Sequence, residues 1–132
     1  MYERDLAIAQ RLALTEPDRA DYQRDLSVSF ERMGDLHLDE DQPALAALAF
    51  NQSRDIWRRL SEAEPTRADL QRGLVISLLR LGTLPHPDAD IHLTQAWQGL
   101  SDLLASGRLN PSDQGLMDHV RSLMAQRGLP TG

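Results

Sequence analysis

The sequence predicts an all-α protein built from repeated helical units, and three observations carry that prediction. Residues 11–36 are echoed by residues 59–84 at an offset of 48, with 14 of the 26 aligned positions identical. Apolar residues recur at spacings of three and four along most of the chain. Strand-like alternation is not sustained anywhere, and β-branched residues are sparse. Self-similarity at such a period is typical of a solenoid, whose units bury their apolar faces against one another.

Turns separate the first four predicted helices. Pro17 and Pro65 lie at equivalent positions of the repeat. A proline suits the first turn of a helix, while the residue before it avoids helical geometry. The acidic residues 39–41 precede the third helix, where negative charge offsets the helix dipole. Each segment carries an apolar stripe, and the predicted bounds are residues 2–15, 18–37, 43–63 and 66–84.

Two further helices follow in the C-terminal third of the chain. Pro85 interrupts the fourth helix, and either Asp88 or Asp90 caps the fifth. Gly107 has the position of a C-terminal cap, and Asn110 followed by proline is a favourable helix start. We expect the last helix to close the end of the stack. The predicted bounds are residues 90–106 and 111–127.

The composition excludes several classes of function. A formal net charge of −6 disfavours nucleic acid as a partner, because phosphate binding needs concentrated positive charge. The chain has no cysteine, which excludes a disulfide framework, a thiolate nucleophile and a zinc ribbon. No apolar run approaches the roughly 20 residues of a membrane span, and the N-terminus does not resemble a signal peptide. We therefore expect a cytoplasmic protein that uses neither nucleic acid nor membrane and needs no cofactor.

Two clusters of titratable residues invite a chemical interpretation. His86, Asp88, Asp90 and His92 alternate as metal ligands can, but no second ligand set supports a site. An interhelical loop with an aspartate cap is the favoured interpretation. His37 lies beside an acidic run, but no nucleophile or oxyanion donor accompanies it, which favours a solvated turn. We expect no catalytic residue and no metal site, and a small helical enzyme or metal protein is the least favoured alternative.

The repeat also duplicates a charged motif. The sequence Arg-Ala-Asp-x-Gln-Arg occurs at residues 19–24 and again at residues 67–72. Its repetition predicts a ladder of charge-assisted contacts between stacked units. A solvated face that makes no such contacts is an equally weighted alternative.

The spacing of large and small side chains within one unit carries a family resemblance. An aromatic residue recurs at similar intervals, at Tyr2, Phe50 and Trp97. In the first complete unit, large, large, small, small, aromatic and small side chains follow one another at Phe30, Met33, Gly34, Ala46, Phe50 and Ser53. This pattern resembles the tetratricopeptide repeat (TPR), and the long unit is similar to kinesin-light-chain-like repeats of bacterial type. A glycine allows close helix approach, and the aromatic fills the space between units.

The resemblance implies an α–α superhelix of about six antiparallel helices that occupies residues 1–132 as one domain. Residues 1–15 form a partial unit, residues 18–63 and 66–106 form two units, and residues 111–127 form the capping helix. A partial unit exposes an apolar face, and repeat arrays need covered ends. We expect either self-association through helices 1 and 2 or membership of a longer array, so a structural or oligomerisation segment is the main alternative function.

The function that the resemblance implies is binding of a protein or peptide in a concave groove lined by the first helix of each unit. We expect Ile76 and Leu79 to contact apolar groups, and Arg32 and Arg80 to pair with acidic ones. Some family members clamp a peptide C-terminal carboxylate with lysine and asparagine, and acidic residues at this groove would repel that group. By position, the groove residues are Val28, Glu31, Arg32, Asp35, Ile76, Leu79, Arg80 and Thr83.

Overall fold

Six α-helices make up about four fifths of the part of the chain that the structure describes. The structure is a computed structural model that describes residues 2–131, and their side chains from residue 4 onward. No strand occurs in this range, so the predicted all-α class and the number of helices are confirmed. The aromatic side chain predicted at Tyr2 lies outside the described residues. The helices are α1 (Tyr2–Thr15), α2 (Ala20–Asp39), α3 (Pro43–Ala63), α4 (Ala68–Gly82), α5 (Ala89–Ala105) and α6 (Gln114–Gln126).

The helix starts after the two prolines differ from the prediction by two residues. Arg19 and Arg67 have extended backbone angles, with φ −79° and ψ 105° for the first and φ −82° and ψ 102° for the second. Helical geometry therefore begins at Ala20 and Ala68, one residue after each arginine. The difference arises because the turn after each proline extends further than the proline rule alone indicates.

The helix caps in the C-terminal third of the chain follow the prediction only in part. Gly107 has a positive φ of 73°, as a C-terminal cap requires. Asp88 occupies the cap position of α5, but its side chain makes no capping hydrogen bond. The last predicted helix begins with a 3₁₀ turn, Pro111–Asp113, in which the Asn110 side chain accepts a hydrogen bond from the Ser112 N–H at 3.1 Å.

Consecutive helices from α2 to α5 pack in antiparallel pairs, and two glycines allow their close approach. A Cβ atom added to Gly34 in α2 would overlap the ring of Phe50 in α3. A Cβ atom added to Gly82 in α4 would lie 3.0 Å from the Cβ atom of Leu93 in α5. The sequence prediction that Gly34 allows the paired helix to approach closely is therefore confirmed.

The hydrophobic core is largest toward the C-terminus. Residues of α4, α5 and α6 form one buried cluster, which includes Leu78, Trp97 and Met124. The exposed residues of α6 include Asp118 and His119. The outward face of the last helix is thus polar, as expected for a helix that closes a stack. None of the described helices is long and apolar enough to cross a membrane.

Helices α2 and α4 lie side by side and run parallel. Three polar contacts join them, from Arg24 to Asp69, from Glu31 to Ser77, and from Asp35 to Arg80. The partners are 45, 46 and 45 residues apart in sequence. A nearly constant separation means that the two helices run in the same direction. This parallel pair positions the residues that the sequence predicts for the groove.

Candidate functional site

The eight predicted groove residues lie on the parallel pair. Four belong to α2 and four to α4 or the residue that caps it, and each α2 residue has its equivalent 48 positions later. The structure brings the two sets side by side. This set is called the α2–α4 surface below, and it comprises Val28, Glu31, Arg32, Asp35, Ile76, Leu79, Arg80 and Thr83.

Exposure divides the apolar members of the α2–α4 surface. Val28 is 36% exposed, and Ile76 is half-buried. Leu79, in contrast, packs against the buried cluster of α4, α5 and α6. This packing leaves only part of the Leu79 side chain accessible, and its contact with an apolar partner group stays a prediction. Arg32 and Thr83 are exposed.

Glu31 is the centre of a polar network between three helices. Its Oε1 atom accepts hydrogen bonds from the hydroxyl of Ser53 at 3.0 Å and from that of Ser77 at 3.1 Å. The indole N–H of Trp57 donates to the same atom at 3.3 Å. Hydrogen bonds to a charged acceptor are stronger than those between neutral groups. Glu31 thus ties α2 to α3 and α4 rather than facing a ligand alone.

Three buried serines extend this network. The hydroxyl oxygens of Ser27 and Ser53 lie 2.7 Å apart, and those of Ser53 and Ser77 lie 3.3 Å apart. All three residues are fully buried. A buried hydroxyl group needs a hydrogen-bond partner, and each of these finds one on a neighbouring helix. Ser27, Ser53, Ser77, Glu31 and Trp57 are together called the serine network below.

Arg80 is also engaged within the protein. Its guanidinium group forms an ion pair with Asp35 across the α2–α4 contact. Arg80 is therefore paired within the protein before a partner binds, and its pairing with an acidic partner group stays a prediction. The same contact compensates the charge of Asp35, which weakens its predicted repulsion of a peptide carboxylate. Arg32 makes no ion pair within the described part of the chain, and it retains the predicted role.

The predicted arginine ladder has one contact between the two units, and the second motif arginine pairs with the 3₁₀ turn before α6. Arg24 lies 3.4 Å from the carboxylate of Asp69, and Arg72, its repeat equivalent, lies 2.8 Å from that of Asp113. The first pair is half-exposed, whereas the Asp113 side chain is only 7% exposed. The Arg67 hydrogen bond, with a smaller contribution from Arg24, lowers the pKa of Asp69. The Asp113 hydrogen bond raises the pKa of Arg72.

A shallow depression borders the α2–α4 surface. Its volume is about 280 Å³, and Val28 and Trp57 supply its apolar lining. Arg24 lies over the Trp57 ring, 5.9 Å from the ring centroid. Asp21 and Asp25 line its polar side. The depression can therefore accept an apolar group that carries an adjacent charge.

The histidine and aspartate cluster lies away from this surface. His86, Asp88 and His92 line a cavity of about 210 Å³ beside Arg54. Burial and then the charge of Arg54 lower the pKa of His92. Asp90 instead pairs with Arg127 at 3.2 Å. Within the part of the chain that the structure describes, no group of three or more His, Asp or Glu side chains is arranged to hold a metal ion.

Comparison of the chain with protein-family models, with curated proteins and with solved structures finds no match. The resemblance to the tetratricopeptide repeat therefore rests on residues of this chain alone.

Proposed function

We propose that the protein is a TPR-like interaction module that binds a protein or peptide across the α2–α4 surface. In this proposal the helical pairs stack as an α–α superhelix, and α2 and α4 are the first helices of successive units. The parallel arrangement of these two helices is the observation that carries the proposal. Its three cross-helix contacts hold the surface in place before a partner arrives. A preformed surface reduces the entropy that binding loses.

The exposed groups indicate the chemistry of the partner. Val28 and Ile76 are repeat equivalents and offer an apolar contact on each helix. Arg32 offers a positive charge beside them. An extended or helical segment that carries an apolar residue and an acidic residue fits this surface. We further propose a cytoplasmic location and a scaffold role without catalysis, on the composition and the repeat pattern.

The experiment that tests this function compares surface variants as baits. The variants are Val28→Glu, Ile76→Ser and Arg32→Glu, and Leu79 is left intact because its loss would disturb the core. Ile91→Glu is the matched control, since Ile91 is an exposed apolar residue of α5. A partner captured from a lysate of the source organism is identified and then titrated against each variant. We expect the surface variants to weaken its binding about tenfold or more, as central interface residues do.

Two outcomes separate loss of binding from loss of folding. Thermal melting followed by circular dichroism should give similar transitions for all the variants, because these side chains are at least partly exposed. A partner that binds the three surface variants as tightly as the wild type would overturn the proposal. Equal loss with Ile91→Glu would show that binding does not depend on the α2–α4 surface.

A second candidate function is that of a structural segment in a larger helical assembly. The observation that favours it is the exposure of apolar residues on α1, where Ile8, Leu12 and Leu14 are all accessible. Exposed apolar patches are typical of interaction sites. Light scattering of the isolated protein tests self-association, because a dimer that Ile8→Glu dissociates would support the assembly role over groove binding.

A further inference from the structure

The corner between α1 and α2 has the same construction as the corner between α3 and α4. The side-chain amide of Gln23 donates to the Pro17 carbonyl at 3.3 Å, and that of Gln71 donates to the Pro65 carbonyl at 2.6 Å. The ion pair between residues 19 and 21 also recurs 48 residues later. The position of α1 against α2 is therefore equivalent to that of α3 against α4.

Equivalent residues on α1 and α3 differ in what covers them. Ala9 and Trp57 are equivalent and face the following helix, and each is 7% exposed. Ile8 and Ile56 are also equivalent, but Ile8 is 49% exposed whereas Ile56 is 3% exposed. In α3 this outer side is packed against α2, which contacts α3 from the other direction. Within the described part of the chain, no helix takes that place on α1. The outer face of α1 is defined here by Asp5, Ile8 and Leu12.

We infer that the outer face of α1 binds an amphipathic helix of a partner protein, in the place that α2 takes on α3. The contact of Arg24 with Asp69 indicates the charge of one residue of that helix. Arg24 of α2 pairs with Asp69, and the equivalent of Asp69 one repeat earlier is Asp21. Suppose that a partner helix docks on α1 in the way that α2 docks on α3. The partner residue that corresponds to Arg24 then lies next to Asp21. The occupant therefore carries a basic residue there.

The contact of Ser53 with Glu31 indicates the charge of a second residue of that helix. Ser53 of α3 donates to Glu31 of α2, and the α1 equivalent of Ser53 is Asp5. A carboxylate cannot donate a hydrogen bond, and it repels a glutamate at the facing position. The occupant therefore has a cation, not an acid, at the position that Glu31 holds in α2. Positions 24 and 31 are seven residues apart, which places both basic groups on one helix face, two turns apart.

The chemistry of the partner follows from these two requirements. It is a helix with an apolar stripe against Ile8 and Leu12, flanked by basic residues seven positions apart that face Asp21 and Asp5. Asp21 also lines the depression beside the α2–α4 surface. Asp5, Ile8 and Leu12 lie on α1, so failure of this inference would leave the proposal for the α2–α4 surface intact.

The test uses the full chain and a helical probe taken from its own sequence. The probe is a fluorescent peptide of residues 18–36, held helical by a staple on its outward side, with the substitution Glu31→Arg. The same peptide with Glu31 unchanged is the matched control. In fluorescence anisotropy titrations we expect the Glu31→Arg peptide to bind the protein, and the control peptide to bind about tenfold more weakly because Glu31 meets Asp5.

Protein variants then locate the binding site. Ile8→Glu should weaken binding of the Glu31→Arg peptide about tenfold or more, whereas Ile91→Glu on α5 should leave it unchanged. Asp21→Asn should weaken it by about two- to fivefold, since that contact is an exposed ion pair. Asp5→Arg should reverse the preference, so that the peptide with Glu31 binds more tightly. The reversal keeps the test valid, because a merely unfolded variant cannot gain affinity.

Three outcomes would overturn the inference. The first is failure of the Glu31→Arg peptide to bind the wild-type protein. The second is equal binding of both peptides to the wild type and to Asp5→Arg. The third is a dimer in light scattering that Ile8→Glu dissociates, because a second copy would then cover the outer face of α1.

Discussion

Helices α1 and α3 occupy equivalent places in the repeat, yet only α3 is packed on both sides. Their corners with the following helix share the same hydrogen bonds, and their inner residues Ala9 and Trp57 are equally buried. The difference lies on the outer side, where Ile56 is buried and Ile8 is exposed. A repeat sequence therefore defines the geometry of each corner, while the exposure of a side chain depends on which neighbours are present.

A similar contrast separates the two steps of the arginine ladder. The pair of Arg24 with Asp69 lies at the surface, and the pair of Arg72 with Asp113 involves a buried carboxylate. Arg24 and Arg72 are equivalent in the repeat, yet their ion pairs contribute differently to stability, because water screens the first pair more strongly than the second. The predictions below compare equivalent or neighbouring positions of this kind.

The largest expected difference is between Ile56→Ala and Ile8→Ala. Truncation of the buried Ile56 removes apolar burial and leaves a cavity, so we expect a loss of about 2–4 kcal/mol in the free energy of unfolding. Truncation of Ile8 should cost less than about 1 kcal/mol, because half of its surface is already in water. Denaturant unfolding followed by circular dichroism measures both. Equal losses would mean that the outer face of α1 is buried in solution.

The second-largest expected loss in the free energy of unfolding comes from a change in the serine network. Glu31→Ala removes the acceptor for Ser53, Ser77 and Trp57, so we expect a loss of about 1–3 kcal/mol from unsatisfied buried donors. The neighbouring Arg32→Ala is the control and should change stability by about 0.5 kcal/mol or less, since Arg32 is exposed. The same unfolding measurement applies. A Glu31→Ala protein as stable as the control would show that the network does not join the helices.

The ladder variants should differ less. Arg72→Ala leaves the buried Asp113 carboxylate without its ion pair, and we expect a loss of about 1–2 kcal/mol. Arg24→Ala breaks a half-exposed pair and should cost about 0.5 kcal/mol or less. Melting temperatures in low and high salt should distinguish them, with the smaller effect of Arg24→Ala disappearing in high salt. A larger loss at Arg24 than at Arg72 would contradict the assigned burial.

The smallest effect concerns pH. Burial, assisted by Arg54, lowers the pKa of His92 below its ordinary value in the folded state. At a pH between the folded and unfolded pKa values, the unfolded chain binds more protons, so stability falls as the pH decreases below the ordinary histidine pKa of about 6.5. His92→Gln should make the melting temperature less dependent on pH over this range. An unchanged pH dependence in that variant would assign the effect to another group.

Sequence periodicity and turn residues predicted the helices well because both signals are local. The pairing of α2 with α4 was also predictable, since equivalent helices of a repeat stack in the same direction. The contacts of individual groove residues could not be predicted, because Arg80 pairs with Asp35 and Leu79 packs against the core formed by α4, α5 and α6. Such choices depend on tertiary neighbours rather than on the repeat.

The serine network escaped sequence reasoning for a related reason. Ser27 and Ser77 are 50 residues apart, whereas the repeat offset is 48, so the alignment places Val75 opposite Ser27. Only Ser53 matched the small position of the repeat pattern. A signal was nevertheless present, since each of three neighbouring helices carries a serine on its buried side.

The most direct test of the contrast between α1 and α3 is thiol labelling. The chain has no cysteine, so Ile8→Cys and Ile56→Cys each introduce a single reactive group at equivalent positions. We expect a thiol reagent to modify Ile8→Cys in the folded protein at nearly the rate of an unfolded chain, and Ile56→Cys only as the protein unfolds. Equal protection of the two cysteines would contradict the account, because the outer face of α1 would then be covered.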